Sequence, residues 1–155
     1  MIDVASFPNV SGHFKLFQTN MNSSDILCVD KKNTIVNGFM EVAARTIWSG
    51  AQQTGYGISQ FGVGTGSTAT NVADTSLEAS VLTKTGDGGT QISPTTFRIN
   101  GTLLADEAND GDPTLITEMG LFSVTGTIMV ARVVFEAQDK SAAITFRFEW
   151  DITVT

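Results

Sequence analysis

Ile144-Thr145-Phe146-Arg147-Phe148-Glu149-Trp150-Asp151-Ile152-Thr153-Val154-Thr155 sorts its side chains by parity. The even positions are all apolar, and the odd positions are all polar or charged. Successive side chains on a β-strand point to opposite faces, so this register makes one apolar surface backed by one wet surface. That pattern belongs to an antiparallel sheet with one face buried. At about 3.3 Å per residue the strand reaches roughly 40 Å, long for a globular protein.

Working back from it, residues 127–136 form another strand. Met129, Ala131, Val133 and Phe135 are apolar on one face, and Ile128, Val130 and Val134 on the other. A strand apolar on both faces needs two covers. One is the core and the other is a helix or a neighbouring subunit, which makes Ile128, Val130 and Val134 the expected interface residues. Further strands are expected at 58–63, 77–83 (Leu77, Ala79 and Val81 on one face), 97–103 and 115–124, with a turn at Gly86-Asp87-Gly88-Gly89.

One helix is expected, over residues 33–49. Ile35, Phe39, Val42 and Thr46 follow helical spacing, as do Val36, Met40, Ala43 and Ile47, with Asn33 as N-cap and Gly50 just past the last turn. Residues 1–32 read as an N-terminal arm and a short hairpin (13–18 and 25–29, around turn chemistry at 20–24). Residues 33–155 read as a single β-rich domain. The expected fold is mainly β: an antiparallel β-sandwich or jelly-roll-like domain with one α-helix packed on the sheet.

Composition narrows the function. The 155 residues suffice for one core, and only 16% are charged against roughly 25% in an average domain, so the polar surface rests on Thr, Ser, Asn and Gln. Such a surface is easily covered by a partner, because few ions must be desolvated. The formal charge of −7 argues against nucleic acid and anionic membranes as partners. Residues 1–10 lack the basic start and apolar run of a signal peptide, and the lone Cys28 forms no internal disulfide; both point to assembly in a reducing cytoplasm.

Catalytic chemistry finds little support. Phe61-Gly62-Val63-Gly64-Thr65-Gly66-Ser67-Thr68 lacks the lysine of a phosphate-binding loop and leads into no helical pattern, so its glycines are expected to allow positive φ where a strand leaves the sheet. The only His (His13), Cys (Cys28) and Tyr (Tyr56) stand in no nucleophile motif, and Cys28 reads as a small core hydrophobe. Among Glu118, Glu136, Glu149 and Asp151, the last two alternate with Arg147 on the wet face of the terminal strand, which charge pairing across a sheet explains. No enzymatic activity and no organic cofactor are expected. The acidic loop 105–113 gathers Asp106, Glu107, Asp110 and Asp112. Asp106, Asp110 and Asp112 would be the ligands if it held Ca²⁺, although the twelfth position of an EF-hand spacing is Thr117 and not Glu.

Two stretches resemble a family of small virion proteins of tailed bacteriophages. In "ISQFGVGTGSTATNVADTSLEASV" (58–81) a strand leads into Gly-x-Gly-Thr-Gly, a Ser/Thr/Ala loop and an Asp-x-x-Leu approach to the next strand. "ITEMGLFSVTGTIMVARVVFEAQDKSAAITFRFEWDITV" (116–154) is similar to the family's closing segment, with Thr-Glu-x-Gly-Leu-Phe, a short turn, Ala-Arg-Val-Val-Phe and a long alternating strand. The resemblance spans residues 33–154. It implies a non-enzymatic structural component of the virion, assembled in the host bacterial cytoplasm, most simply a capsid decoration (cement) protein. Its partners would be itself, as a homotrimer at local threefold positions, and the major capsid protein. A tail, collar or fibre-attachment protein is the alternative, and copy number per particle separates the two. A module binding host glycan would instead need exposed aromatic rings, for which Trp48, Tyr56 and Trp150 are the residues available beyond Phe.

Overall fold

The computed structural model describes residues 9–20, 24–48, 57–111 and 113–155. Along the described chain run β1 (Val10–Asn20), β2 (Ile26–Ile35), α1 (Gly38–Trp48), β3 (Ile58–Gly64), β4 (Ser80–Thr85), β5 (Gly88–Ser93), β6 (Thr96–Leu103), β7 (Thr114–Ser123), β8 (Met129–Lys140) and β9 (Ile144–Val154). The strands form one antiparallel sheet in the order β4-β3-β7-β8-β2-β1-β9-β6-β5, curled into a half-barrel.

The terminal alternation organises this sheet. β9 pairs along its length with β1 on one side and β6 on the other. Phe146, Phe148, Trp150 and Ile152 are buried, whereas Arg147, Glu149 and Asp151 lie on the opposite, wetter face. The limb built on β9 meets the limb built on β7 and β8 through β2. Residues 26–33 of β2 pair with β1, while Thr34 and Ile35 pair with Arg132 and Ala131 of β8. The apolar faces of the two limbs close on each other: Phe61 of β3 meets Phe148 edge-on at 4.8 Å between ring centroids, and Phe14 of β1 stacks on Phe135 of β8 at 5.7 Å. Gly101 on β6 is required by this closure, because a Cβ there would collide with the Phe148 ring.

The two sheet edges, β4 and β5, are consecutive in the chain. Only Gly86 and Asp87 separate them; the Gly86 N–H donates to the Ser59 carbonyl beside β4, and the Asp87 N–H donates to the Asn100 carbonyl of β6. The sheet has curled until its edges share a corner.

Several expectations are corrected here. The helix begins at Gly38, not at residue 33, and Asn33 lies in β2. Pairing of the β-branched Thr34 and Ile35 with β8 overrides the helical spacing that starts at Ile35. Asn37 occupies the helix entry, where its carbonyl accepts from the Met40 and Glu41 N–H groups. Gly50 lies outside the described residues. α1 packs on β8 and sends Val42 into the main core, with Phe39 against it.

The hairpin expected near the N-terminus is longer than its turn chemistry suggested and sits at the centre of the sheet, with Phe14 and Leu16 wholly buried. β2 runs across residues 32 and 33, where the arm was expected to meet the domain; residues 1–8 and 21–23 lie outside the described residues. Leu77 precedes β4 instead of belonging to it, and packs with Val36, Phe122 and Met129 in a second small core. Gly88 and Gly89, expected in a turn, open β5.

Candidate functional site

The acidic loop hangs between β6 and β7. Asp106 and Asp110 are exposed, and Asp112 lies outside the described residues. Glu107 is already committed: both its oxygens accept from Lys84 Nζ at 2.8 Å, and one also accepts from the Leu104 N–H. Beneath the loop, Lys140 is fully buried and donates to the carbonyls of Ala105 (3.0 Å) and Ser141 (3.2 Å). Burial pushes its ammonium pKa down, partly offset by Glu107 and Asp106. Two ammonium groups thus already hold the Glu107 carboxylate and the Ala105 carbonyl, oxygens that a hard cation would otherwise draw on. Among the described residues no cluster of three His, Cys, Asp or Glu could hold a metal. Adding millimolar Ca²⁺ or EDTA is expected to leave the melting temperature unchanged. A clear rise with Ca²⁺ in a thermal melt would reinstate Asp106, Asp110 and Asp112 as ligands.

Of the expected interface residues, Val130 is fully buried in the main core, whereas Ile128 and Val134 are half-buried and pack partly or not at all into it. The cause is a register shift opposite Leu121 and Phe122: Met129 pairs with Phe122 in the second core, and Val130 turns inward.

The wet face of the β9 limb carries a ladder of ion pairs. Arg98 donates to Asp151 at 2.6 and 2.8 Å and lies 2.8 Å from Glu149, while Arg147 reaches Glu149 (2.9 Å) and Asp25 (2.8 Å) and lies over the Phe17 ring. Glu149 and Asp151 are thereby held by guanidinium groups, as the alternation with Arg147 suggested. His13 pairs with Asp30 at 2.5 Å. Cys28 is half-buried, donating Sγ–H to the Leu16 carbonyl at 3.3 Å, and burial pushes its thiol pKa up.

The most developed polar constellation is one that sequence reasoning missed. Glu118 of β7 and Arg132 of β8 point to the same outer side of the sheet, and both are buried. Glu118 Oε1 accepts from the backbone N–H of Gly66 (3.1 Å) and Ala79 (2.8 Å); Oε2 accepts from the Glu78 N–H (3.1 Å) and from Arg132 Nε (3.0 Å). Arg132 Nη2 lies 2.9 Å from the same oxygen, off the hydrogen-bonding angle. Arg132 Nη1 donates to Asp74 at 2.9 Å, and Glu78 stands 3.7 Å from Nη2. Burial lowers the Arg132 pKa, but Asp74 and Glu118 more than offset it and hold the group charged. Asp74 is raised by burial, yet the Asn71 N–H and Arg132 bring it below the usual carboxylate range. The Thr68 N–H and hydroxyl lower Glu78 likewise.

This cluster pins the long loop 65–79 onto the sheet and explains the glycine spacing. A Cβ at Gly66 would come within 2.5 Å of Glu118 Oε1 and of Glu78 Cβ, and one at Gly64 within 2.5 Å of Glu118 Oε1 and the Ala79 carbonyl. Space, not positive φ, is what these glycines supply; among the described glycines positive φ occurs at Gly88 and Gly126. Every donor around Glu118 belongs to the chain itself, so the arrangement acts as a staple and not as a cradle for phosphate.

A groove of about 640 Å³ opens beside α1, walled by Phe39, Phe97, Ile152, Val154, Pro94 and Gln91. Among the described residues no carboxylate lines it. Of the aromatic residues proposed for glycan binding, Trp150 is fully buried with its ring 4.9 Å from Phe14, and Tyr56 lies outside the described residues. No family model matches this chain, and no curated protein and no solved structure matches it.

Proposed function

We propose that this chain is a non-enzymatic structural subunit of a tailed-phage virion, and specifically a capsid decoration protein that reinforces the shell through contacts with its own copies and with the major capsid protein. One observation carries the reading. The two stretches that resemble virion proteins fold onto one another, and their polar residues neutralise each other: Gly64, Gly66, Asp74 and Glu78 of the first close around Glu118 and Arg132 of the second. Residues that could have served chemistry are spent on shape, as in a part whose work is to pack. In this reading the two limbs of the curled sheet are the layers of a sandwich, for which the Phe61–Phe148 contact is the support. A net charge of −7 suits a partner other than nucleic acid or an anionic membrane, and a local threefold position on a shell would call for a trimer.

Reconstruction of intact particles from images tests this. Density for hundreds of copies on the shell is the expected result. A few dozen copies or fewer at the neck or tail would move the protein to the collar or fibre-attachment alternative, and its absence from purified particles would end the virion reading.

A further inference from the structure

The two edges of the sheet are finished differently. β4 is guarded: Lys84 in the strand is clamped by Glu107, which draws loop 104–111 against it. Among the described residues β5 has no such guard. Gly88, Gly89, Thr90, Gln91 and Ile92 are all exposed and Ser93 is half-buried. The strand contains no charged residue and no proline, two of the devices by which sheet edges discourage pairing, and a bulge between Gln91 and Ser93 leaves residues 88–91 as its regular run. Its one large side chain, Ile92, is 51% exposed, and Phe97 on the paired strand is 37% exposed.

We infer that β5 is the edge through which two copies of this chain pair, strand to strand and antiparallel, joining their sheets into one continuous sheet across a twofold axis. This rests on the self-association that the virion reading requires, and it names the surface. Three features point to a second copy as the occupant. An antiparallel strand pair is self-complementary, so the regular run 88–91 finds its matching row of donors and acceptors in the same run of an identical chain. A protein of charge −7 repels its copies except where its surface is neutral, and β5 is a neutral edge on an otherwise acidic molecule. So short a strand pair alone falls short of the roughly 800 Å² per partner of a stable interface, and apolar surface at the groove (Pro94 and Phe97), with the exposed Ile92 outside it, is there to supply more. Such a contact builds a dimer, or a pair of trimers where a threefold grouping also forms.

The test is mass in solution at micromolar concentration, by sedimentation or light scattering, on the full chain. The wild type should run as an even multiple of the protomer. Ile92→Lys and Thr90→Lys, each placing an ammonium group on the exposed edge, should weaken that association at least tenfold with an unchanged melting profile of the separated subunit. Thr85→Lys on the opposite edge should leave it intact. A monomeric or odd-numbered wild type, or an even assembly that survives both β5 lysines, overturns the proposal. Copy number on particles is read separately by imaging, so the two readings can fail independently.

Discussion

Replacing Glu118 with alanine is expected to cost about 3–5 kcal/mol of folding stability, the range for breaking a buried ion pair by removing one partner. In a domain of this size that corresponds to a fall in melting temperature of roughly 6–20 °C. The loss is large because four groups are abandoned together: the N–H groups of Gly66, Glu78 and Ala79, and the Arg132 guanidinium, which keeps Asp74 as its hydrogen-bonded partner. Glu118→Gln should recover little. The amide has one acceptor oxygen where the carboxylate has two, and its NH₂ would face either the Gly66 and Ala79 donors or those of Glu78 and Arg132. Arg132→Met should cost less than Glu118→Ala, because it leaves the carboxylate with three backbone donors. Thermal or urea melts of the three variants give the order, and the reverse order would show that the guanidinium, not the carboxylate, organises the loop.

The same cluster sets a pH dependence. The Asp74 pKa is held below its unfolded value, so its contribution is fully present above about pH 4 and is lost as the pH falls through the lowered folded value. Asp74→Asn should flatten that acid limb while leaving the stability difference between pH 6 and pH 8 as it is in the wild type.

How far the sequence reveals this protein depends on which side chains face what. β9 is legible residue by residue, because one face is entirely core and the other entirely wet. β8 is legible as a strand with two covers, and the pairing of Arg147, Glu149 and Asp151 follows from parity alone. Asn33, Thr34 and Ile35 mislead, because the helical spacing starts at Ile35, three residues before the true helix, and pairing of Asn33 to β1 and of Thr34 and Ile35 to β8 keeps them in a strand. The N-terminal hairpin misleads for a different reason. Its wet face carries Phe17, sheltered by Arg147, so the alternation of Phe14 and Leu16 against His13 and Lys15 looks broken. The staple left a usable signal. Glu118 is the one charge of β7 and Arg132 the one charge of the apolar run 128–135 in β8, 14 residues apart across a hairpin, and two such buried charges are tolerated only when they meet. Their further partners in loop 65–79 are 39 and more residues away, beyond what local pattern reports.

Phe14→Ala is the second large effect, expected at about 3–5 kcal/mol for truncating a fully buried phenylalanine. The ring stands where the two limbs meet. It stacks on Phe135 of β8 at 5.7 Å and on Phe148 of β9 at 6.2 Å, and it receives Trp150 edge-on at 4.9 Å. None of these neighbours can close the gap without leaving its own strand register, so most of the cavity should remain. Phe97→Ala, on the rim of the groove and 37% exposed, provides the comparison and should cost less than about 1 kcal/mol. The pair of measurements also decides the standing of the first strand. If residues 1–32 were an arm attached to an independent domain, Phe14→Ala would leave the urea midpoint near that of Phe97→Ala. If β1 belongs to the core that the two limbs share, the midpoint should fall several-fold further, with one cooperative transition and an unchanged slope.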